Sequence, residues 1–578
     1  MKKFFTLFAA LTASCGLMMA QDSATNIYGL QGAGTQEDPY QLTTAADFQT
    51  LAEKITAENT GAGEYFKVMS YIDFAGAAFP SIAKGGVESV TKVNWGFEGT
   101  IDGDYNYLFG INHTANGNDA DGKFNALVSS LGQNGVIKNL RFGDGNVISS
   151  YNYVAPFASI SKGLIENCNN YAEVTAANAF AAGICGYLVG GEGTIKNCAN
   201  YGNVTASTYA CGIVAGSQSG SSITAYNYLV SGCENHGTLH ATNATTSGCG
   251  GIAGSYSGRI YGCDNFGNVD EAGKQYVGGI LAFGAYAVDV EYCTNSGIVA
   301  GGKKVGGIVA HVGQEGAVVD GCVSGTIDLE TGEVTGSVSG TENVGGIIGN
   351  SAKADTKVLH SVCVAPVSAD GVETAGHLIG NAAITVEDSY YETAAALPLD
   401  AEGQAVTDVE SYVTSNWLKV YEGTMDLAVG NFGVVSTVEN AQVAIYQASS
   451  RTATVSVPQI AYNQMIIDSF TFPVSYQENS YTSAGYEAQA GTLAVTGYSF
   501  DGTVADEELN FSTMLKAGKM PMNMTITFKG SEVKDVPTAI EEVAAPAAQN
   551  TVRYDLQGRQ IDAQQGLFIQ NGRVCIIK

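Results

Sequence analysis

Two carboxylates, Glu291 and Asp320, hold equivalent places in successive copies of a repeated phrase. Stacked one copy apart, they would lie near the ~5 Å separation of a retaining glycosidase pair, acting on a polysaccharide. The rest of their column reads Glu166, Lys196, Ser231 and Tyr261, a mixture that surface solvation explains without catalysis. A second column, Tyr171, Tyr201, His236 and Phe266, would place rings along one edge, where aromatic faces can meet the apolar faces of sugars; packing under a turn is the plainer account. The spacing of His236 and His240 is that of a zinc-binding pair only on a helix, and here both fall in a β pattern. No GxSxG, P-loop, CxxC or EF-hand phrase is present, so neither a metal nor a cofactor is expected.

These residues belong to a phrase of fixed form: an aliphatic residue, two variable residues, Cys, one residue, Asn. It reads IENCNNYAEV from Ile165, IKNCANYGNV from Ile195, VSGCENHGTL from Val230, IYGCDNFGNV from Ile260 and VEYCTNSGIV from Val290. Its cysteines are Cys168, Cys198, Cys233, Cys263, Cys293 and Cys322, separated by 30, 35, 30, 30 and 29 residues. A period of that size marks a solenoid in which each unit buries its apolar face only against its neighbours. Within a unit, alternation about the Cys and Asn is the two-residue period of a strand with one buried face. A second run, from Gly183-Ile184 to Gly345-Gly346-Ile347-Ile348, sets glycines before short aliphatic strands, where the backbone needs positive φ or close approach. Together these predict a parallel β-helix. Leu140, Ser361 and Ser389 take the cysteine position in outlying copies, which carries the repeat beyond the six cysteines.

The aligned Asn170, Asn200, Asn235, Asn265 and Asn295 are expected to bond one another as a buried amide ladder. The six cysteines would point the same way from parallel strands. That suits free, buried thiols acting as small hydrophobes better than disulfides.

The phrase at Gly345-Gly346-Ile347-Ile348-Gly349, and more loosely that at Gly278-Gly279-Ile280-Leu281-Ala282, resembles the GLUG-motif repeats of secreted bacterial proteins. The resemblance implies a solenoid outside the cytoplasm and carries no reaction with it. GAGTQEDPY and FEGTIDG, residues 32–40 and 97–103, resemble entry segments of such solenoids; Asp102 in the second reads as a turn residue.

The chain has 578 residues and a net charge of -29, with 56 acidic and 27 basic side chains. That field repels phosphate backbones and anionic lipid surfaces, so nucleic acid is not an expected partner. Residues 1–20 have two lysines, an apolar run and small residues near their end, the layout of a secretory signal peptide. Cys15 within them offers a weaker lipid-anchor alternative. No later stretch is apolar for long enough to form a membrane-spanning helix.

In order, the sequence predicts an N-terminal cap with a short helix at 21–95, β-helix repeats at 96–396 and a connector at 397–422. Thr44 and Asp47 start the helix as a capping box, and Phe48, Leu51, Ala52 and Ile55 share one face. At 423–533 longer alternating strands such as TATVSVPQI and NMTITFKG suggest an antiparallel barrel or sandwich. This part resembles the calycin-like β-barrel domain of secreted Bacteroidetes proteins, which implies a small barrel with an apolar cavity. An Ala- and Pro-rich linker, 534–550, leads to a short β segment at 551–578. Its YDLQGR and GLFIQNGRVCIIK resemble the C-terminal sorting segment of type IX secretion, which implies export machinery as a partner.

The fold class expected is therefore all-β, a parallel β-helix followed by a smaller antiparallel domain and a C-terminal β segment. The function expected is a non-enzymatic, secreted or outer-surface protein, an adhesin that binds a glycan or a host or bacterial surface protein. The alternatives are a carbohydrate-active enzyme using Glu291 and Asp320, and a carrier of a small apolar ligand in the barrel. A periplasmic or lipid-anchored location is the alternative address.

Overall fold

The structure, a computed structural model, describes residues 26–114, 123–220, 223, 225–243, 247–271, 273–327, 334–369, 372–381, 383–387, 389–392, 396–400, 405–406, 418–430, 432–446, 452–462, 465–477, 479–491, 493–518, 520 and 522–533. Of the C-terminal segment it describes strand backbone at 553–554, 560–561, 566–570 and 573–577. The expected signal peptide, Cys15 and the linker at 534–550 lie outside the described residues.

The aliphatic position of the repeat forms one unbroken inner column. Parallel register runs Tyr40, Phe66, Ile101, Ile137, Ile165, Ile195, Val230, Ile260, Val290, Val319, Val358, Val386. These twelve rungs make a stack on the order of 50 Å long at the usual strand spacing. Parallel stacking thus begins at Tyr40–Leu42, within the segment expected to be a cap, because Tyr40 and Phe66 supply the same inward apolar side chain as the later isoleucines. The helix Ala45–Lys54 is inserted after this first rung, with the Thr44–Asp47 capping box in place and Phe48 packed on Phe74 and Phe79. Each coil continues from the aliphatic strand through a short strand bearing the Asn, a third strand such as Leu239–Ala241, and a fourth ending in glycine, such as Tyr276–Gly278.

Two backbone devices turn the coil. The residue just before the cysteine position has positive φ in rung after rung: Asn139, Asn167, Asn197, Gly232, Gly262, Tyr292, Gly321 and His360. Asparagine and glycine are the residues that adopt this conformation cheaply, so one of the two positions that read as variable is in fact restricted. The glycines of the second run serve the other need. A Cβ on Gly212 would collide with the Gly251 carbonyl and the Asn235 side chain, and one on Gly279 with Gly307 and Asn295. Close approach over the asparagine column, rather than positive φ, is what requires glycine there.

The C-terminal half of the described chain holds eight antiparallel strands closed into a barrel, with Tyr486–Ala490 added beside Leu493–Ala505. Its first strand, Leu418–Val429, starts inside the segment expected as a connector. Ring-bearing side chains fill the interior: Tyr421, Phe470, Phe472, Tyr486 and Phe500 are buried, and Phe472 stacks on Tyr486 at 3.8 Å. These rings form a packed cluster inside the barrel.

Candidate functional site

The carboxylate column lies on the outer side of the aliphatic strand, and Glu291 and Asp320 are register partners in adjacent rungs. Both are engaged. Glu291 accepts from the Arg259 guanidinium, with Nε at 3.1 Å, and Asp320 lies 2.8 Å from His360 Nδ1. Arg259 also sits over the Tyr261 ring at 4.4 Å. The flanking Asp289 differs: burial and then the neighbouring Glu291 push its carboxyl up, against the pull of Arg259. Lower in the same column the signs alternate through Lys67, Asp102, Lys138, Glu166 and Lys196, with Lys138 at 3.3 Å from Asp102 and Lys196 at 4.0 Å from Glu166. Asp102 itself accepts from the Asp104 amide at 3.0 Å, a turn bond.

The Asn column is buried and continuous. Asn170 donates to Asn200, Asn200 to Asn235, Asn235 to Asn265 and Asn265 to Asn295, at 2.7–2.9 Å. Each amide nitrogen in the column also donates to the carbonyl two residues on, as Asn235 does to Gly237 at 3.0 Å. The column ends where Ser324 takes the place of asparagine, and its hydroxyl is left without a partner.

In the Cys column, the amide of Cys233 donates to Cys263 Sγ at 3.5 Å, and that of Cys263 to Cys293 Sγ at 3.4 Å. All ten described cysteines are free and buried. Burial holds the thiols of Cys198, Cys263 and Cys293 well above their ordinary range, and such thiols are poor nucleophiles.

Tyr171, Tyr201, His236 and Phe266 stack on one another up the solenoid. Successive centroids are 4.8, 4.7 and 4.7 Å apart, with planes within 4–13°. The rings stand across the strip rather than lie flat on it, so each inner face is covered by the next ring and the edges meet solvent. The stacked rings therefore do not offer a row of open faces, the candidate reading of this column for sugars, and fit its plainer reading as packing. His236 faces Glu234 at 3.1 Å and His240 faces Glu271 at 2.7 Å, so the two histidines point to different partners. Among the described residues no group of three or more His, Cys, Asp or Glu is arranged to hold a metal ion.

A crevice of about 540 Å³ opens beside this ladder, at the corner carrying the positive-φ residues. Its solenoid wall includes Tyr105, Arg141, Lys196, Ser231, Arg259 and Tyr261, and barrel hydroxyls of Ser475, Ser480 and Thr482 face it. Small residues at Ser231, Gly232 and Gly262 leave the depression between larger neighbours. Arg141 lies over the rings of Tyr105 and Tyr107, at 5.5 and 5.3 Å, and Tyr107 in turn contacts Tyr171 at the foot of the ladder.

No family model matches the chain. The GLUG, calycin-like and sorting resemblances therefore stand on the residues quoted for them. Halomucin from Haloquadratum walsbyi is 29% identical over 161 residues, which are 27% of this chain and 2% of halomucin. The crystal structure of a candidate outer membrane protein from Bacteroides fragilis is 22% identical; the match covers 21% of this chain and 52% of that one, with a TM-score of 0.17. The chain thus spans about half of the second protein and a small fraction of the first. Neither likeness transfers a fold or an activity.

Two features escaped the sequence pattern. Arg141 lies outside the cysteine-bearing copies, since its rung has Leu140 at that position. A second aromatic ladder, Phe124, Tyr153, Phe180 and Tyr209, stacks at 5.2–5.6 Å on another edge. Its spacing varies between coils, which hid it; aligning the strands that lead into Gly183 and Gly212 would have found Phe180 and Tyr209.

Proposed function

We propose that this chain is a non-enzymatic protein of the cell surface or the extracellular medium, whose β-solenoid displays one outward corner to a glycan. The observation that carries this reading is the engagement of Glu291 and Asp320 by Arg259 and His360. A retaining pair needs one free carboxylate nucleophile and one protonated acid, and the Arg259 ion pair at Glu291 together with the His360 contact at Asp320 opposes that division of roles. The elongated stack, with its crevice and flanking ring edges, offers a binding surface without a need for turnover. Incubation with a panel of neutral and acidic polysaccharides tests this: binding without new reducing or unsaturated ends is expected. Product release that disappears in Glu291→Gln would replace the reading with the enzymatic one.

That rival has one observation in its favour, the raised carboxyl of Asp289 beside Glu291. A protonated acid near an ionised one is the usual division of labour in glycoside cleavage. Asp289→Asn belongs in the same assay.

The surface address rests on the quoted resemblances and on the leader-like residues 1–20. Among the described residues no helix is long and apolar enough to cross a membrane. Strands Gly566–Gln570 and Arg573–Ile577 pair antiparallel around residues 571–572, a hairpin that would serve as an export address. Removal of 554–578 is expected to trap the protein in the periplasm while its melting stays nearly unchanged. Equal accessibility of both forms to protease on intact cells would remove the sorting claim.

A further inference from the structure

The crevice reverses the sign of the chain around it. Overall, acidic side chains outnumber basic ones 56 to 27, yet the charged residues lining the crevice are Arg141, Lys196 and Arg259 against Glu234 alone. The three cations sit at the rungs of Ile137, Ile195 and Ile260, which alternate with the rungs of Ile165 and Val230. That places one cation every second rung, roughly 9–10 Å apart along the axis. Lys196 has a carboxylate only at 4.0 Å, Arg141 has no carboxylate partner among the described residues and rests on rings instead, and Arg259 meets Glu291 through Nε and one terminal nitrogen, which leaves its other terminal nitrogen for a ligand. Between them lie neutral donors and acceptors, the amides of Asn167, Asn169 and Asn197 and the Ser231 hydroxyl.

The ladder beside the crevice adds to this preference. Stacking hides the negative ring faces of Tyr171, Tyr201 and Phe266 and turns their edges outward, and edges carry the positive lobe of the aromatic quadrupole. A flat neutral sugar face gains little from edges. A carboxylate gains from edges and guanidinium together.

We infer that this corner binds an extended, carboxylate-bearing polysaccharide lying along the solenoid axis, with its acid groups at Arg141, Lys196 and Arg259 and its hydroxyls at the intervening asparagines. This rests on the glycan-display reading above and names the ligand class and the residues. The sparse cations fit a polymer that turns one carboxylate in every two sugars toward this face; duplex DNA, with a charge every ~1.7 Å, would meet the net -29 field with too few compensating groups.

The test uses the full chain with polygalacturonate and its fully methyl-esterified form, which share a backbone and differ in charge. Binding to polygalacturonate alone is expected, weakening as salt rises. Arg141→Glu should lower affinity about tenfold or more, the loss of one charge-assisted contact. Lys54→Glu, on the exposed side of the N-terminal helix, makes the same change in net charge far from the crevice and should leave affinity within about twofold. Equal weakening by both variants, equal binding of the esterified polymer, or no binding to either polymer would overturn the inference. Scoring product release in the same incubations separates the two readings. Cleavage of polygalacturonate would sink the non-enzymatic function, whereas uncleaved binding without charge selectivity would sink only this assignment.

Discussion

The solenoid and the barrel are both β structures, but they solve the problem of buried polar groups in different ways. In the solenoid's inner Asn column each side chain meets its own kind one rung away, so an interior asparagine finds an amide partner by translation alone, four times in succession. The barrel has no such repetition. Each interior position faces a different neighbour, and the described interior is mostly rings and aliphatics, while the buried hydroxyls of Tyr421, Ser456 and Thr471 have no partner. Among the described residues the solenoid shares this defect at two places, His113 Nε2 and, where the Asn column is broken, Ser324. Repetition, not burial as such, is what lets polar side chains into a β interior.

The largest expected effect tests whether the two regions are separate cooperative units. Phe472→Ala should cost the barrel about 3–5 kcal/mol and lower its thermal transition, while a second transition, from the solenoid, stays in place by calorimetry. If both transitions fall together, the contrast between the regions loses its basis. Next, Asn235→Ala removes the Asn200 and Asn265 partners at once and should cost the solenoid about 2–3 kcal/mol in denaturant unfolding. A cost no greater than that of the surface change Asn178→Ala would show that the ladder contributes nothing beyond packing.

A third measurement concerns the end of the stack, where Asp400 accepts from His377 Nδ1, the His377 amide and the Leu397 amide at 2.6–2.8 Å. Burial pushes the Asp400 carboxyl up, but these hydrogen bonds outweigh it and hold it below the ordinary carboxylate range. A depressed carboxyl stabilises the fold above its unfolded pKa and loses that contribution as pH falls through the folded value. The solenoid transition should therefore drop below about pH 4, by an amount on the order of 1–2 kcal/mol that Asp400→Asn removes from the pH profile. An unchanged profile in the variant would show that the clamp carries no pH dependence.

The smallest effect is expected from Cys233→Ser, about 1 kcal/mol or less, because serine already serves in that column. The amide of Cys322 donates to Ser361 Oγ at 3.1 Å, and that of Ser361 to Ser389 Oγ at 3.0 Å. Thiol labelling of the native chain should be slow and become complete on denaturation. Fewer than two free thiols in denatured, unreduced protein would contradict the stacked-thiol arrangement.

Much of the solenoid was legible in the residues alone. A phrase that returns every 29–35 residues must place like on like, so the aliphatic, Cys and Asn columns and the parallel register follow from spacing. The rungs before Ile101 were not, because Tyr40 and Phe66 share the shape of the later aliphatics without their phrase. The barrel's strands could be read from alternation, but closure depends on the pairing of Ser480–Ser483 with Leu493–Ala505, which no local pattern encodes.

At the candidate site the division is sharper. Spacing determined that Glu291 would neighbour Asp320 and that Tyr171, Tyr201, His236 and Phe266 would align. Only the tertiary structure decided that Arg259 and His360, 32 and 40 residues away, tie up the two acids, and that the rings stack face to face. Register is a property of the backbone and can be counted along the chain. The direction of a side chain, and so whether a carboxylate is free or a ring face open, depends on what the neighbouring rungs place within its reach.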